Sequence, residues 1–325
     1  MMRVNFYLVK NGKLMRKENT VYFVSKEKKF LLPINKIHTI YVYGKVSVTS
    51  GVLSYLAKNG VCIHFFNKYG FFEGSFYPRE TLLSGDVVVN QAAHYLDDQK
   101  RLYLAKEILS GCFDNIVKNL KYYNLEDSVR EVEKWIPKVP DVESIPELMS
   151  IEGNIWNIYY NSFNYILPDA FTFEKRSRRP PENMVNCLVS FSNSLIYSAT
   201  LSEIYNTQLN PTVSFLHEPH ERRFSLSLDL SEIFKPFLGD RVIFKVLNKG
   251  IITEDHFQKE VNFCLLNEEG KKLFLKHFDE RLKTTIKHRS LRRNVSYRRL
   301  VRLECYKLIK HLLGVQTYRA FRMWW

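Results

Sequence analysis

The chain has 325 residues, 45% of them hydrophobic and 25% charged, with a formal net charge of +14. That length can bury a real core and on size could form two domains, while no run of about 18 apolar residues and no apolar core or small-residue cleavage site in MMRVNFYLVKNGKLMRK speaks for a membrane span or a signal peptide. The expectation is a soluble, cytoplasmic protein with no membrane partner. Its five cysteines, Cys62, Cys112, Cys187, Cys264 and Cys305, are too widely spaced for a zinc pair or a disulfide scaffold and are expected as reduced core residues.

The first 80 residues read as β. VNFYLV, VYFVS, KFLLPI, KIHTIYVYG, VCIHFF and FFEGSFY are short β-branched and aromatic runs, separated by turns such as Asn11-Gly12 and Lys68-Tyr69-Gly70. One helix, Ser50 to Asn59, is predicted among them, with Gly60 at its end. The pattern predicts an α+β protein: an N-terminal β-sandwich-like domain over 1–85, without the strand-helix alternation of a parallel α/β fold, a linker over 86–100, and a larger all-α domain over 101–325.

Beyond residue 100 the period becomes helical. Leu102, Ala105, Leu109, Cys112 and Ile116 form one helix face. Asn124 to Ile145, with Pro137 and Pro140, reads as a loop or short helix followed by a linker. Ser144 caps a helix with Pro146 in its first turn, expected to run to about Leu167. Glu152 lies inside it and shares a face with Trp156, Tyr159 and Phe163. An ionised carboxylate among aromatics needs a cation; the bland alternative is an exposed glutamate at a domain junction. Arg176, Arg178 and Arg179 precede Pro180-Pro181-Glu182 and a helix from Asn183 to about Tyr205, and suggest phosphate contact or a salt-bridged corner.

The stretch FLHEPHERRFSLSLDLSEIFKP, 215 to 236, mixes histidine and carboxylates with apolar residues, although a buried charge is costly without a partner. Phe224, Leu226, Leu228 and Leu230 alternate with polar residues as in a half-buried extended segment, and a helix is predicted to begin at Asp229. Asp229 and Glu232 then lie on one face of its first turn. They fit a capping box, and with His217 upstream they also fit a site for a divalent ion. A zincin is excluded, because His217 and His220 are three apart with Pro219 between them. Past Pro236 the chain is expected to stay mostly helical, through Thr253 to Glu260 and Glu269 to His277.

From Arg281 to Trp325 there are 13 Lys and Arg against one acid, Glu304, so +12 of the +14 lies in this tail. Basic residues there interleave with Tyr297, Tyr306, Tyr318 and Phe321 as on a nucleotide-binding surface, which favours nucleic acid over membrane as the polyanion. The alternative is a basic amphipathic helix packed on an acidic neighbour.

Three separated motifs, Glu152-Gly153 leading into the aromatic helix face, RSRRPPENMVN at 176–186 and the 215–236 stretch, occur in the order found in the CRISPR-associated integrase family, the metal-dependent proteins that insert new spacers during CRISPR adaptation. KNGKLMRKENTVYFV, GSFYPRE and RAFRMWW resemble that family's two ends. The resemblance implies a homodimer with its metal in the C-terminal helical domain. Its ligands fall on Glu152, His217 and Glu232, with Mg2+ or Mn2+ as the ion and Asp229 beside them. Arg178, Arg179, Arg223, Lys235, Arg292 and Arg293 are the candidates for DNA contact, Lys235 standing where many relatives have Arg. The implied reaction is attack by a 3′-hydroxyl of an incoming double-stranded DNA on repeat phosphodiesters, with a small ferredoxin-like adaptation partner protein bridging two dimers. A non-catalytic DNA-binding architectural protein and a plain metal-dependent DNase are the alternatives.

Overall fold

The structure is a computed structural model describing residues 3–78, 82–178, 180–219, 224–260 and 263–325. Its N-terminal part contains β1 (Val4–Leu8), β2 (Gly12–Lys17), β3 (Thr20–Val24), β4 (Lys29–Leu32), β5 (Ile37–Val42), β6 (Val46–Val48), helix α1 (Ser50–Lys58), β7 (Cys62–Phe66) and β8 (Phe72–Phe76). These strands form two four-stranded sheets, ordered β1-β5-β7-β8 and β4-β3-β2-β6. Leu14, Val21 and Phe23 of one sheet and Ile40, Val42 and Ile63 of the other are buried in one apolar cluster, giving the expected sandwich. Strand pairing is mixed, however: β1 and β7 both run parallel to β5, and β6 parallel to β2. Gly60, at φ +66, lies just beyond α1.

The remaining elements are α2 (Gly85–Leu96), α3 (Asp98–Tyr122), α4 (Glu126–Glu133), α5 (Ile145–Asn161), α6 (Met184–Tyr205), α7 (Ser225–Phe234), a π-helical turn (Lys235–Asp240), α8 (Arg241–Asn248), the hairpin β9 (Phe257–Glu260) and β10 (Phe263–Leu266), α9 (Glu268–Lys283), the short pair β11 (Thr285–Lys287) and β12 (Asn294–Ser296), and α10 (Tyr297–Leu312). The C-terminal part is therefore helical with two small hairpins rather than all-α, and Phe257–Glu260, expected as helix, is a strand. The segment expected as a linker, 86–100, is instead helical. The Ser84 hydroxyl accepts from Val87 N and the Asp97 carboxylate from Lys100 N, two N-caps that start α2 and α3.

Helix α6 is apolar almost all round and correspondingly buried, with helices on one side and the first sheet on the other. Tyr41 and Phe66 of that sheet, and Tyr43 just past β5, belong to the helical core, where Tyr43 meets Phe191 of α6. Polar contacts also cross: the fully buried His64 lies between Ser75 and Ser202, and His38 Nε2 is 3.2 Å from Glu203. The five cysteines are free and buried, as expected.

Tyr297, Tyr318 and Phe321 are core residues, which corrects their reading as a nucleotide-binding surface. Phe321 stacks on Phe234 of α7 at 5.6 Å, and the Tyr318 hydroxyl donates to Glu304 at 2.6 Å. The C-terminal RAFRMWW thus packs behind α7, with Met323 N donating to Asn115 of α3 at 2.8 Å.

Candidate metal and DNA site

Helix α5 starts as predicted: the Ser144 hydroxyl accepts from Glu147 N, and Pro146 sits in the first turn. Its apolar residues Leu148, Ile151 and Ile155 are buried, which turns Trp156 and Tyr159 inward and leaves Glu152 at the rim of the core. Helix α7 starts at Ser225, four residues earlier than predicted. Asp229 is consequently inside the helix and wholly buried, not at its N-cap, and the alternation from Phe224 to Leu230 is helical.

Asp229 has a different task. Its Oδ2 accepts from the backbone N–H of Phe215 at 2.6 Å and of Leu216 at 2.9 Å, while Oδ1 accepts from His217 N at 3.0 Å and His217 Nδ1 at 2.9 Å. The loop is also held from outside. Arg101 donates to Phe215 O and to Glu218, Gln91 donates to Asn210 O and Val213 O, and the Ser214 hydroxyl donates to His217 O. With Nδ1–H engaged by a carboxylate, the neutral His217 ring presents Nε2 as an acceptor. Burial alone would lower the His217 pKa; the Asp229 hydrogen bond and charge outweigh it and leave it raised.

Glu232 is one helical turn beyond Asp229 and 3% exposed. Its Oε1 accepts from the Lys235 ammonium, and its Oε2 is buried with no hydrogen-bond partner. Lys235 also sits 5.5 Å from the centre of the Trp156 ring, so α5 and α7 share this cation. Burial, and next the charge of Glu232, hold the Glu152 carboxyl up at about 7, while Lys235, His217 and Arg178 act in the opposite direction. The buried Cys112 thiol of α3 beneath them is pushed well up by burial, and feels Glu232, Lys235, Glu152 and Asp240 together.

Glu152, His217 and Glu232 therefore share one electrostatic pocket. Among the described residues, no three His, Cys, Asp or Glu side chains close on one point as ligands. The donor set nevertheless fits a hard divalent ion: two carboxylates that repel one another, an orphaned buried oxygen on Glu232 and a histidine nitrogen presented by Asp229. The Lys235 ammonium supplies the counter-charge to Glu232 in this state.

Asp240, which sequence reading passed over, closes the π-helical turn and is 2% exposed. Burial raises its carboxyl to about 7 although the Tyr159 hydroxyl hydrogen-bonds it, and its Oδ2 has no partner. The only advance signal was a lone acid in an apolar run. Arg176 is held between Asn186 and Ser190 of α6 and is structural; Arg178 is exposed at the site edge. Arg292 and Arg293 are exposed far along the chain, and no contact joins them to Glu152, His217 or Glu232. Arg179, His220, Glu221 and Arg223 lie outside the described residues.

Comparison with known proteins gives one picture. The family model "CRISPR associated protein Cas1" matches residues 6–280. A CRISPR-associated endonuclease Cas1 from Methanothermobacter thermautotrophicus is 52% identical over 100% of this chain and 96% of its own. The solved structure of a Cas1 protein from Thermotoga maritima superposes with a TM-score of 0.90 at 38% identity, covering 98% of this chain and 99% of that one. A casposase bound to integration product shares the fold, with a TM-score of 0.88 at 20% identity over 97% and 92% of the two chains.

Proposed function

The chain belongs to the CRISPR-associated Cas1 family, and from that premise we propose that it is a metal-dependent DNA integrase and endonuclease that inserts spacer DNA into a CRISPR array. Glu152, His217 and Glu232 would hold Mg2+ or Mn2+. The observation that carries this reading is the buried, unpartnered Oε2 of Glu232 beside a histidine whose free nitrogen is set by Asp229.

A bound divalent ion would polarise a target phosphate and stabilise the departing 3′ oxygen. The chain's own residues prepare for this. Asp229 fixes the His217 ring, Glu152 and Glu232 concentrate negative charge at the pocket, and the exposed Arg178 offers a cation to the DNA backbone. The incoming 3′-hydroxyl attacks in line, forming one P–O bond as another breaks, so no protein nucleophile is required. Cys112, buried and with its thiol pushed far up, is not one. Homodimerisation, and a small ferredoxin-like partner bridging two dimers, follow from the family resemblance.

Incubating a short duplex bearing 3′-hydroxyl ends with supercoiled plasmid, with Mn2+ and with chelator, tests the proposal. Joined product that requires metal and disappears in Glu152→Gln and Glu232→Gln supports it. Binding without product would indicate an architectural protein, and cleavage without joining a plain DNase.

A further inference from the structure

Two buried carboxylates in this pocket keep an oxygen without a hydrogen-bond partner, Oε2 of Glu232 and Oδ2 of Asp240. A buried carboxylate oxygen without a partner is costly, and each one in a native structure calls for an explanation, a catalytic role or a bound ion among them. Between them lies the π-helical turn Lys235–Asp240, which begins at the lysine bound to Glu232. In an α-helix, residues five apart point about 140° away from each other, at 100° per residue. The i to i+5 bonding of a π turn brings them to one side, and such turns are frequent at functional sites.

The turn is also fixed in place. A Cβ at Gly239 would come within 2.5 Å of Ser192 Oγ on α6, so only glycine allows this approach. Asn119 of α3 donates to Pro236 O at 2.7 Å and to the Tyr159 hydroxyl at 2.8 Å, and that hydroxyl in turn hydrogen-bonds Asp240. Asp240 thus ends a braced turn with one oxygen free, and the charge of Lys235 acts on it.

We propose that Asp240 is the second seat of the Lys235 ammonium: when a divalent ion engages Glu232, Lys235 moves to the free Asp240 oxygen, which makes Asp240 a positioning residue for metal loading. The inference rests on the metal site proposed above. It explains why a lysine occupies Glu232 in a protein that needs that carboxylate, and what neutralises Asp240 once Glu232 is taken. Asp240 is left without a cation only while Lys235 sits on Glu232.

Mn2+ binding, read by the EPR signal of the free ion, tests it on the full-length chain and on Asp240→Asn, Lys235→Met and the double variant. Asp240→Asn should weaken Mn2+ binding about 10-fold, the scale of a missing supporting partner. In the Lys235→Met background the same substitution should change it less than about 2-fold, because no ammonium remains to be reseated. Unchanged affinity in Asp240→Asn, or equal weakening in both backgrounds, overturns the inference. Glu232→Gln separates the premise: if it binds Mn2+ as the wild type does, the metal site itself is wrong. A crystal structure of the wild type with Mn2+ decides without substitution. Lys235 Nζ about 3 Å from Asp240 supports the move, and Lys235 still on Glu232, or in solvent, refutes it.

Discussion

One oxygen of Asp229, Oδ1, accepts from both the backbone N–H and the ring Nδ1 of His217, at 3.0 and 2.9 Å. The same carboxylate takes the amides of Phe215 and Leu216. Asp229→Ala would strand two buried amides and one partly buried one, at roughly 1–3 kcal/mol each before relaxation, so a net loss of about 3–5 kcal/mol is expected. Removal of an N-cap would cost only about 1 kcal/mol. Denaturant unfolding without metal measures the difference, and a loss near the smaller figure would show that the loop does not depend on Asp229.

Glu203 of α6 carries a second buried charge, at the boundary between the first sheet and the helices. Arg302 Nε lies 2.5 Å from it, and His38 and Arg298 complete its surroundings. Burial pushes the Glu203 carboxyl up, but His38 and the two arginines outweigh it and hold it down at about 2. The stabilisation from a depressed carboxylate is present above its unfolded pKa, near 4.5, and is lost as pH falls toward 2. Arg302→Gln leaves Glu203 less compensated and should cost about 3 kcal/mol at pH 7, shrinking on acidification. Melting curves at pH 7 and pH 3 check this; a cost independent of pH would mean the arginine acts by packing.

Part of the basic tail is already committed to the fold. Arg298 donates to Arg3 O and Arg302 pairs with Glu203, whereas Arg292 and Arg293 are exposed. Replacing Arg292 and Arg293 with Gln should lower the slope of log affinity against log salt by up to about 0.9 for each phosphate no longer neutralised, with little change in melting. An unchanged slope would place the DNA elsewhere.

These assignments show where sequence reading succeeds and where it stops. Strand runs, the Ser144 cap, the helix start near Asn183 and the buried face of α3 were legible because local chemistry decides them. The start of α7 was not, because Phe224 caps nothing and alternating Leu and Ser fit a strand as well as a helix buried by its neighbours. Asp229 and Glu232 were found as a pair, but their roles depend on a loop twelve residues upstream and a lysine one turn on. Tyr318 and Phe321 look like a nucleotide-binding surface until α3 and α7 are known to cover them. Asp240 needs the π turn to be seen at all.

Glu152 gives a pH test of the pocket itself. Burial and the neighbouring Glu232 hold its carboxyl at about 7 against an ordinary 4.5. Because the folded value is the higher one, the folded protein binds this proton more tightly than the unfolded chain. Its contribution is complete below about 4.5 and is lost as pH rises through 7, at up to about 1.4 kcal/mol per pH unit. Glu152→Gln cannot titrate, so without metal it should gain stability relative to the wild type as pH goes from 5 to 8. Glu232→Gln, which removes the charge that helps to raise Glu152, should show part of the same gain. Saturating Mn2+ should reverse the wild-type trend, because ionised carboxylates bind the ion and binding stabilises the folded state by RT ln(1 + c/Kd), where c is the free Mn2+ concentration and Kd falls as the carboxylates ionise. Urea unfolding at pH 5, 6, 7 and 8, with EDTA and with Mn2+, measures all three curves. Parallel profiles for the wild type and Glu152→Gln in EDTA would mean that Glu152 is solvated and ordinary, and would remove it from the pocket.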